Sequence, residues 1–139
     1  MLNKTRSIFI LIVLSITLTA CNIGGLIEGD SIIFGTGTLD SGITNEQSTF
    51  GPDEDFIMEL ETAEPFGVTD ITFTLLETTE DGTEVILEQW DDVVDPSWNY
   101  FIYDFHIVEL DGAFEPGDYT VRIFSPDSSM IAEGSFTIQ

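Results

Sequence analysis

From Ser31 onward the apolar residues recur with a period of two, and that spacing leaves few folds open. Residues two apart on a strand share one face of a sheet, whereas a helix buries residues three and four apart. No stretch beyond Ser31 carries the helical spacing, and clusters of Gly, Pro and Asp interrupt the alternation. Seven strands are predicted: Ser31–Gly37, Asp55–Glu61, Thr69–Glu77, Glu84–Trp90, Tyr100–Glu109, Asp118–Ser125 and Met130–Ile138. Alternation assigns the inward faces. Phe56, Met58 and Leu60 share one, as do Ile71, Phe73 and Leu75, and Phe101, Tyr103, Phe105 and Ile107. Tyr119, Val121 and Ile123 should meet Ala132, Gly134, Phe136 and Ile138. In Glu84–Trp90, Val85 and Leu87 compete with Ile86 and Trp90 for the core. Thr78–Thr83, centred on Asp81-Gly82, is a hairpin turn, and Asp91–Trp98, with Asp95-Pro96, is a longer loop. Short strands with turns roughly every 8–12 residues point to an all-β, antiparallel sandwich.

The segment Phe114-Glu115-Pro116-Gly117-Asp118-Tyr119 sharpens this. It resembles the tyrosine corner of immunoglobulin-like Greek keys, in which a Tyr opening the sixth strand bonds back to backbone a few residues upstream. The resemblance implies a single Ig-like β-sandwich over residues 31–139, with Tyr119 carrying the hydroxyl. The chain holds one Cys, so the disulfide of antibody domains is missing, and the likeness is to disulfide-free bacterial Ig-like modules.

The N-terminus has a different character. Lys4 and Arg6 precede an uncharged run, Ser7 to Ala20, that ends at Cys21. Fourteen helical residues span about 21 Å, short of the roughly 30 Å hydrocarbon core, so the run reads as a signal sequence rather than a permanent span. Leu18-Thr19-Ala20-Cys21 resembles the lipobox of bacterial lipoproteins. The resemblance implies a diacylglycerol on the Cys21 sulfur, cleavage before Cys21, and anchoring to a membrane at the cell surface, outer membrane or periplasm. Two acyl chains anchor stably where one does not. The expected organisation is a signal peptide (1–20), a tether (21–30) that opens on Asn22-Ile23-Gly24-Gly25, and the sandwich (31–139).

Charge excludes one class of partner. The chain carries 26 acids against three Lys/Arg, a formal charge of −23. Nucleic-acid binding needs a basic footprint, so none is expected. Both N-terminal bases precede Cys21, and the chain after cleavage would set 26 acids against Arg122 alone.

Chemistry is sparse. His106 is the one imidazole, it points outward by strand parity, and no Ser sits in a nucleophile-elbow context. Paired carboxylates cannot be assigned to glycosidase chemistry from spacing alone. One His and a lipidated Cys leave no transition-metal ligand set. Ca²⁺ takes six to eight oxygen ligands, and two acidic loops are candidates: Asp53-Glu54-Asp55, and Asp91-Asp92 with Asp95. Neither matches an EF-hand loop. No other cofactor is expected.

Outward-parity apolar residues include Ile57 and a candidate partner patch made of Tyr100 and Ile102 on one strand, with Phe124 facing Ile131 across a hairpin. That hairpin has a predicted register. Pairing Ser125 with Met130 around Pro126-Asp127-Ser128-Ser129 sets Phe124 opposite Ile131, Ile123 opposite Ala132, Arg122 opposite Glu133 and Tyr119 opposite Phe136. A slip of one residue would exchange the two faces.

The expected function is a non-catalytic binding or assembly module, anchored outside the cytoplasm, with a protein partner. The alternative is an accessory carbohydrate-binding domain or an extracellular hydrolase, to which Trp90 or Trp98 would contribute in a cleft.

Overall fold

The computed structural model describes residues 31–105 and 114–139. The expectations for the signal peptide, the tether, Cys21, His106 and Ile107 lie outside the described residues. Nine strands are present: β1 (Ser31–Thr38), β2 (Gly42–Glu46), β3 (Thr49–Phe50), β4 (Phe56–Glu61), β5 (Asp70–Thr78), β6 (Glu84–Val93), β7 (Tyr100–Phe105), β8 (Gly117–Phe124) and β9 (Met130–Ile138). They form two sheets, β2-β1-β4-β7 and β3-β9-β8-β5-β6. All seven predicted strands are present, the fifth as far as Phe105, beyond which the prediction lies outside the described residues, and β2 and β3 are additions. One pair departs from the antiparallel pattern: β3 lies parallel to β9. It seats Phe50, 2% exposed, at one end of the core.

The sheets meet on the faces that alternation assigns. Phe56, Met58 and Leu60 from β4, Ile71, Phe73 and Leu75 from β5, and Tyr119, Val121 and Ile123 from β8 are all buried. Phe56 stacks on Phe50 at 4.2 Å and on Phe105 at 4.9 Å, and Tyr119 stacks on Phe136 at 5.3 Å. Offset contacts of this kind add to the area these rings remove from water. Gly134 lets the sheets close up. A Cβ there would lie 2.6 Å from Ile32 Cβ, so only glycine admits β1 this near to β9.

Ile57, expected to face outward, is 2% exposed. After a register shift at Thr36/Gly37 the β1–β2 hairpin turns back over this face, and the Ile43 amide donates to Glu59 Oε1 at 2.6 Å. Leu39 and Asp40 of the hairpin line a hollow shared with Ile57.

The β8–β9 hairpin corrects the predicted turn and keeps most of the predicted register. The loop has three residues, not four: Ser125 N–H donates to the Ser129 carbonyl at 2.9 Å, and Phe124 stands opposite Met130 rather than Ile131. A bulge then leaves Ile131 as the extra residue, and from Ile123–Ala132 inward the predicted pairing holds, including Arg122–Glu133, Val121–Gly134 and Tyr119–Phe136. Facial consistency fixes the inner register, and the bulge absorbs the shorter turn.

Candidate functional site

Arg122 is the one Lys or Arg among the described residues. Its Nε donates to Glu133, its neighbour across the β8–β9 ladder. Its two terminal nitrogens donate to the two oxygens of Glu84, each at 2.8 Å. The hydrogen bonds it donates to Glu84 first, then to Glu133, raise the guanidinium pKa above its ordinary value. Glu84 lies on β6, two strands away, and only the sheet order brings it there. The cation is thus engaged on three sides within the outer face of the five-stranded sheet.

Three residues earlier on the same strand, and on its inner face, the Tyr119 hydroxyl donates to the Glu115 carbonyl at 2.6 Å, which is the tyrosine-corner geometry. The tyrosine itself is 2% exposed.

The calcium candidates are not gathered. Asp91 and Asp92 stand on β6, which runs to Val93, and not in a loop. Consecutive strand residues point to opposite faces, so the two carboxylates diverge. Asp91 accepts from the Thr72 hydroxyl at 2.6 Å, and Asp95 accepts from the Ser97 amide and hydroxyl. The Ser97 bonds, the hydroxyl first, hold Asp95 below its ordinary pKa. In the other acidic loop, Glu54 accepts from the Gly51 amide and from Gln47. Among the described residues no three His, Cys, Asp or Glu side chains are placed to share an ion.

The candidate partner patch also divides. Tyr100 and Ile102 lie on β7 in the four-stranded sheet, whereas Phe124 and Ile131 lie in the five-stranded sheet. Ile131 packs against the core instead of facing outward, because the bulge turns it there.

The exposed apolar surface lies elsewhere. Eight large hydrophobic residues are exposed among the described residues, and six of them fall between Val85 and Tyr100: Val85, Ile86, Leu87, Val93, Trp98 and Tyr100. This segment comprises β6, the connecting loop and the start of β7. Among the described residues both strands are sheet edges, each paired on one side only. The loop is strapped down. Val94 N–H donates to Thr69 O, Trp98 O accepts from Phe66 N–H at 2.7 Å, and Asn99 O accepts from Thr62 N–H at 2.8 Å. Ser97 to Ile102 line an open depression of about 460 Å³. Burial, then a hydrogen bond to Glu59, pushes the Tyr100 hydroxyl up to about 12.

Between the β6 and β7 edges the core ends in stacked rings. Trp90 lies on Phe73 at 5.1 Å and beside Tyr103 at 5.5 Å. The Tyr103 pKa is raised, first by burial and then by the charges of Glu88, Asp92 and Asp104. Sequence reasoning singled out Tyr100 and Trp98 but missed the β6 part of this surface, because the Glu84–Trp90 run gave no clear face. Its one signal was the apolar triplet Val85-Ile86-Leu87.

The sequence matches no protein-family model and no curated protein. Solved structures do match. An immunoglobulin-like protein from Pseudomonas aeruginosa is 17% identical with a TM-score of 0.52, over 78% of this chain and 91% of that one. The fold is immunoglobulin-like. The PmoD soluble domain from Methylocystis is 13% identical at a TM-score of 0.45, over 78% of this chain and 89% of that one. A superoxide reductase from Ignicoccus hospitalis is 9% identical at 0.42, over 67% and 76%. At these identities the likeness extends to fold alone.

Proposed function

We propose that this chain is a non-catalytic binding or assembly module, held outside the cytoplasm by lipid on Cys21. The observation that carries the binding role is the concentration of exposed apolar side chains between Val85 and Tyr100. Scattered exposure is ordinary, but six exposed large apolar side chains within one sixteen-residue segment are more than scatter, and a partner surface uses such a concentration. Trp and Tyr, which are enriched at binding hot spots, are among these residues. The lipobox resemblance supports the anchor. Among the described residues no helix is long and apolar enough to cross a membrane. Among the described residues the carboxylates with displaced pKa values, Asp81, Asp95 and Asp127, are all displaced downward, opposite to the need of an acid catalyst.

Two experiments test this. The protein should enter the detergent phase on phase partitioning, and Cys21→Ala should block processing; an intact mass that begins at Met1 without lipid would refute the anchor. A photo-crosslinking residue at position 98 should give a discrete adduct in cells, whereas one at position 130, also exposed, should not. Equal labelling at both would refute a localised surface.

The depression beside Trp98 and Tyr100 supports the second reading, an accessory carbohydrate-binding domain. Retention on insoluble polysaccharide that Trp98→Ala abolishes would favour it.

A further inference from the structure

We propose that the free edge of β6 takes up an extended, cationic segment of a partner protein as a sixth strand of the five-stranded sheet. The inference rests on the binding-module reading and specifies its partner. β6 is ten residues long and, among the described residues, pairs only with β5, which leaves its other row of backbone N–H and C=O groups open to a further strand. Proteins commonly protect such an edge by keeping it short, covering it or carrying lysine on it. This edge is long, it is bulged at Leu87, its charges are all acidic with no Lys or Arg, and Val85, Ile86 and Leu87 are exposed on it in succession. Strand addition uses these features: main-chain bonds supply affinity, and alternate side chains supply selectivity.

Charge selects the partner. β6 contributes Glu84, Glu88, Asp91 and Asp92. By ladder parity Glu88 and Asp92 share the face of Trp90, opposite Leu75 and Ile71, and Asp91 lies on the other face, opposite Thr72. Arg122 is already committed to Glu84 and Glu133, so the neutralising charge must come from outside. A second copy of this chain would place like charges opposite one another, which opposes pairing. A strand alternating Lys or Arg with apolar residues satisfies both faces. Its bases on the inner parity would reach Glu88 and Asp92, over the Trp90 and Tyr103 rings, where a cation also gains from the ring faces.

The test uses the full-length protein, extracted in non-ionic detergent, with three synthetic octapeptides as probes: (Lys-Val)₄, the same peptide N-methylated throughout, and (Glu-Val)₄. Hydrogen–deuterium exchange followed by mass spectrometry should show at least tenfold slower exchange across 84–93 with (Lys-Val)₄ and none with the others. The double variant Glu88→Lys/Asp92→Lys, with an unchanged circular dichroism spectrum, should lose that protection. If the variant misfolds, Leu87→Lys replaces it, with the same expectation. Equal protection by the N-methylated peptide would reduce the effect to charge alone and overturn strand addition. Protection confined to 97–102 would overturn the β6 site while leaving a binding module in place. Concentration-dependent self-association that protects 84–93 without peptide would assign the edge to a second copy instead.

Discussion

Ser128 is the one non-glycine residue with positive φ among the described residues, at 68°. Residues with a Cβ meet their own carbonyl in this region, a cost of about 1–2 kcal/mol. The residue is held there because its amide closes onto the Ser125 carbonyl at 2.9 Å. Glycine would remove the steric cost while adding some entropy to the unfolded chain. Ser128→Gly should therefore stabilise the protein by about 0.5–1 kcal/mol in urea unfolding at unchanged m-value. Tyr119 carries the opposite expectation. Phenylalanine keeps the stack on Phe136 and deletes only the bond to Glu115. Tyr119→Phe should cost about 1–2 kcal/mol, the range for losing a buried hydrogen bond and stranding its acceptor. No measurable loss would mean that the corner is ornamental. Tyr119 was legible in the sequence because its turn residues and its strand parity agree. Glu84 was not legible as a partner of Arg122, because the contact spans three strands and a register shift at Leu75/Leu76 that no local pattern encodes.

At the scale of elements, two hairpins share one turn. Thr79-Glu80-Asp81-Gly82-Thr83 and Ser125-Pro126-Asp127-Ser128-Ser129 repeat the same bonds. In each, the first residue's amide donates to the fifth carbonyl, and the fourth amide donates to the first carbonyl. The central Asp accepts from the first hydroxyl and the fifth amide. The Thr79 hydroxyl, then the Thr83 amide, lower the Asp81 pKa from 3.8 to about 2. A carboxylate more acidic in the folded state adds stability above its unfolded pKa and loses that contribution as pH falls through the folded one. The β5–β6 turn should hold above pH 4 and loosen toward pH 2. The Asp81 carboxyl resonance should titrate with a midpoint near 2, and a midpoint near 3.8 would refute the turn geometry. The strands themselves were legible in proportion to how one-sided they are. β4, β5, β8 and β9 each turn one face to the core and show it by alternation, although β4 and β5 also bury Ile57 and Leu76 on the other parity. β6 showed none because an edge strand solvates both faces, leaving Val85, Ile86 and Leu87 all exposed. β2 and β3 escaped because Gly42–Glu46 carries a single apolar residue and β3 has only two residues.

For the whole molecule the dominant fact is unbalanced charge. Folding gathers 26 acids and one base, if the first 20 residues are removed, into a volume where carboxylates repel one another. The Debye length is about 30 Å at 0.01 M salt, comparable with the width of a small domain, and about 3 Å at 1 M. At low salt the repulsion acts across the molecule, and at high salt only near neighbours remain coupled. The melting temperature should therefore rise between 10 mM and 1 M sodium chloride, with chloride chosen because sulfate strengthens apolar burial independently. Arg122→Ala sharpens the test. Its loss breaks a two-oxygen bridge to Glu84 and the bond to Glu133, leaving both acids unneutralised on the outer sheet face. The three groups are partly exposed, so the deficit should be modest, about 1 kcal/mol at 10 mM salt. It should shrink severalfold at 1 M, because screening removes the long-range part that Arg122 relieves. A deficit independent of salt would locate the role of Arg122 in packing its aliphatic stem across β8, and the charge argument would fail with it.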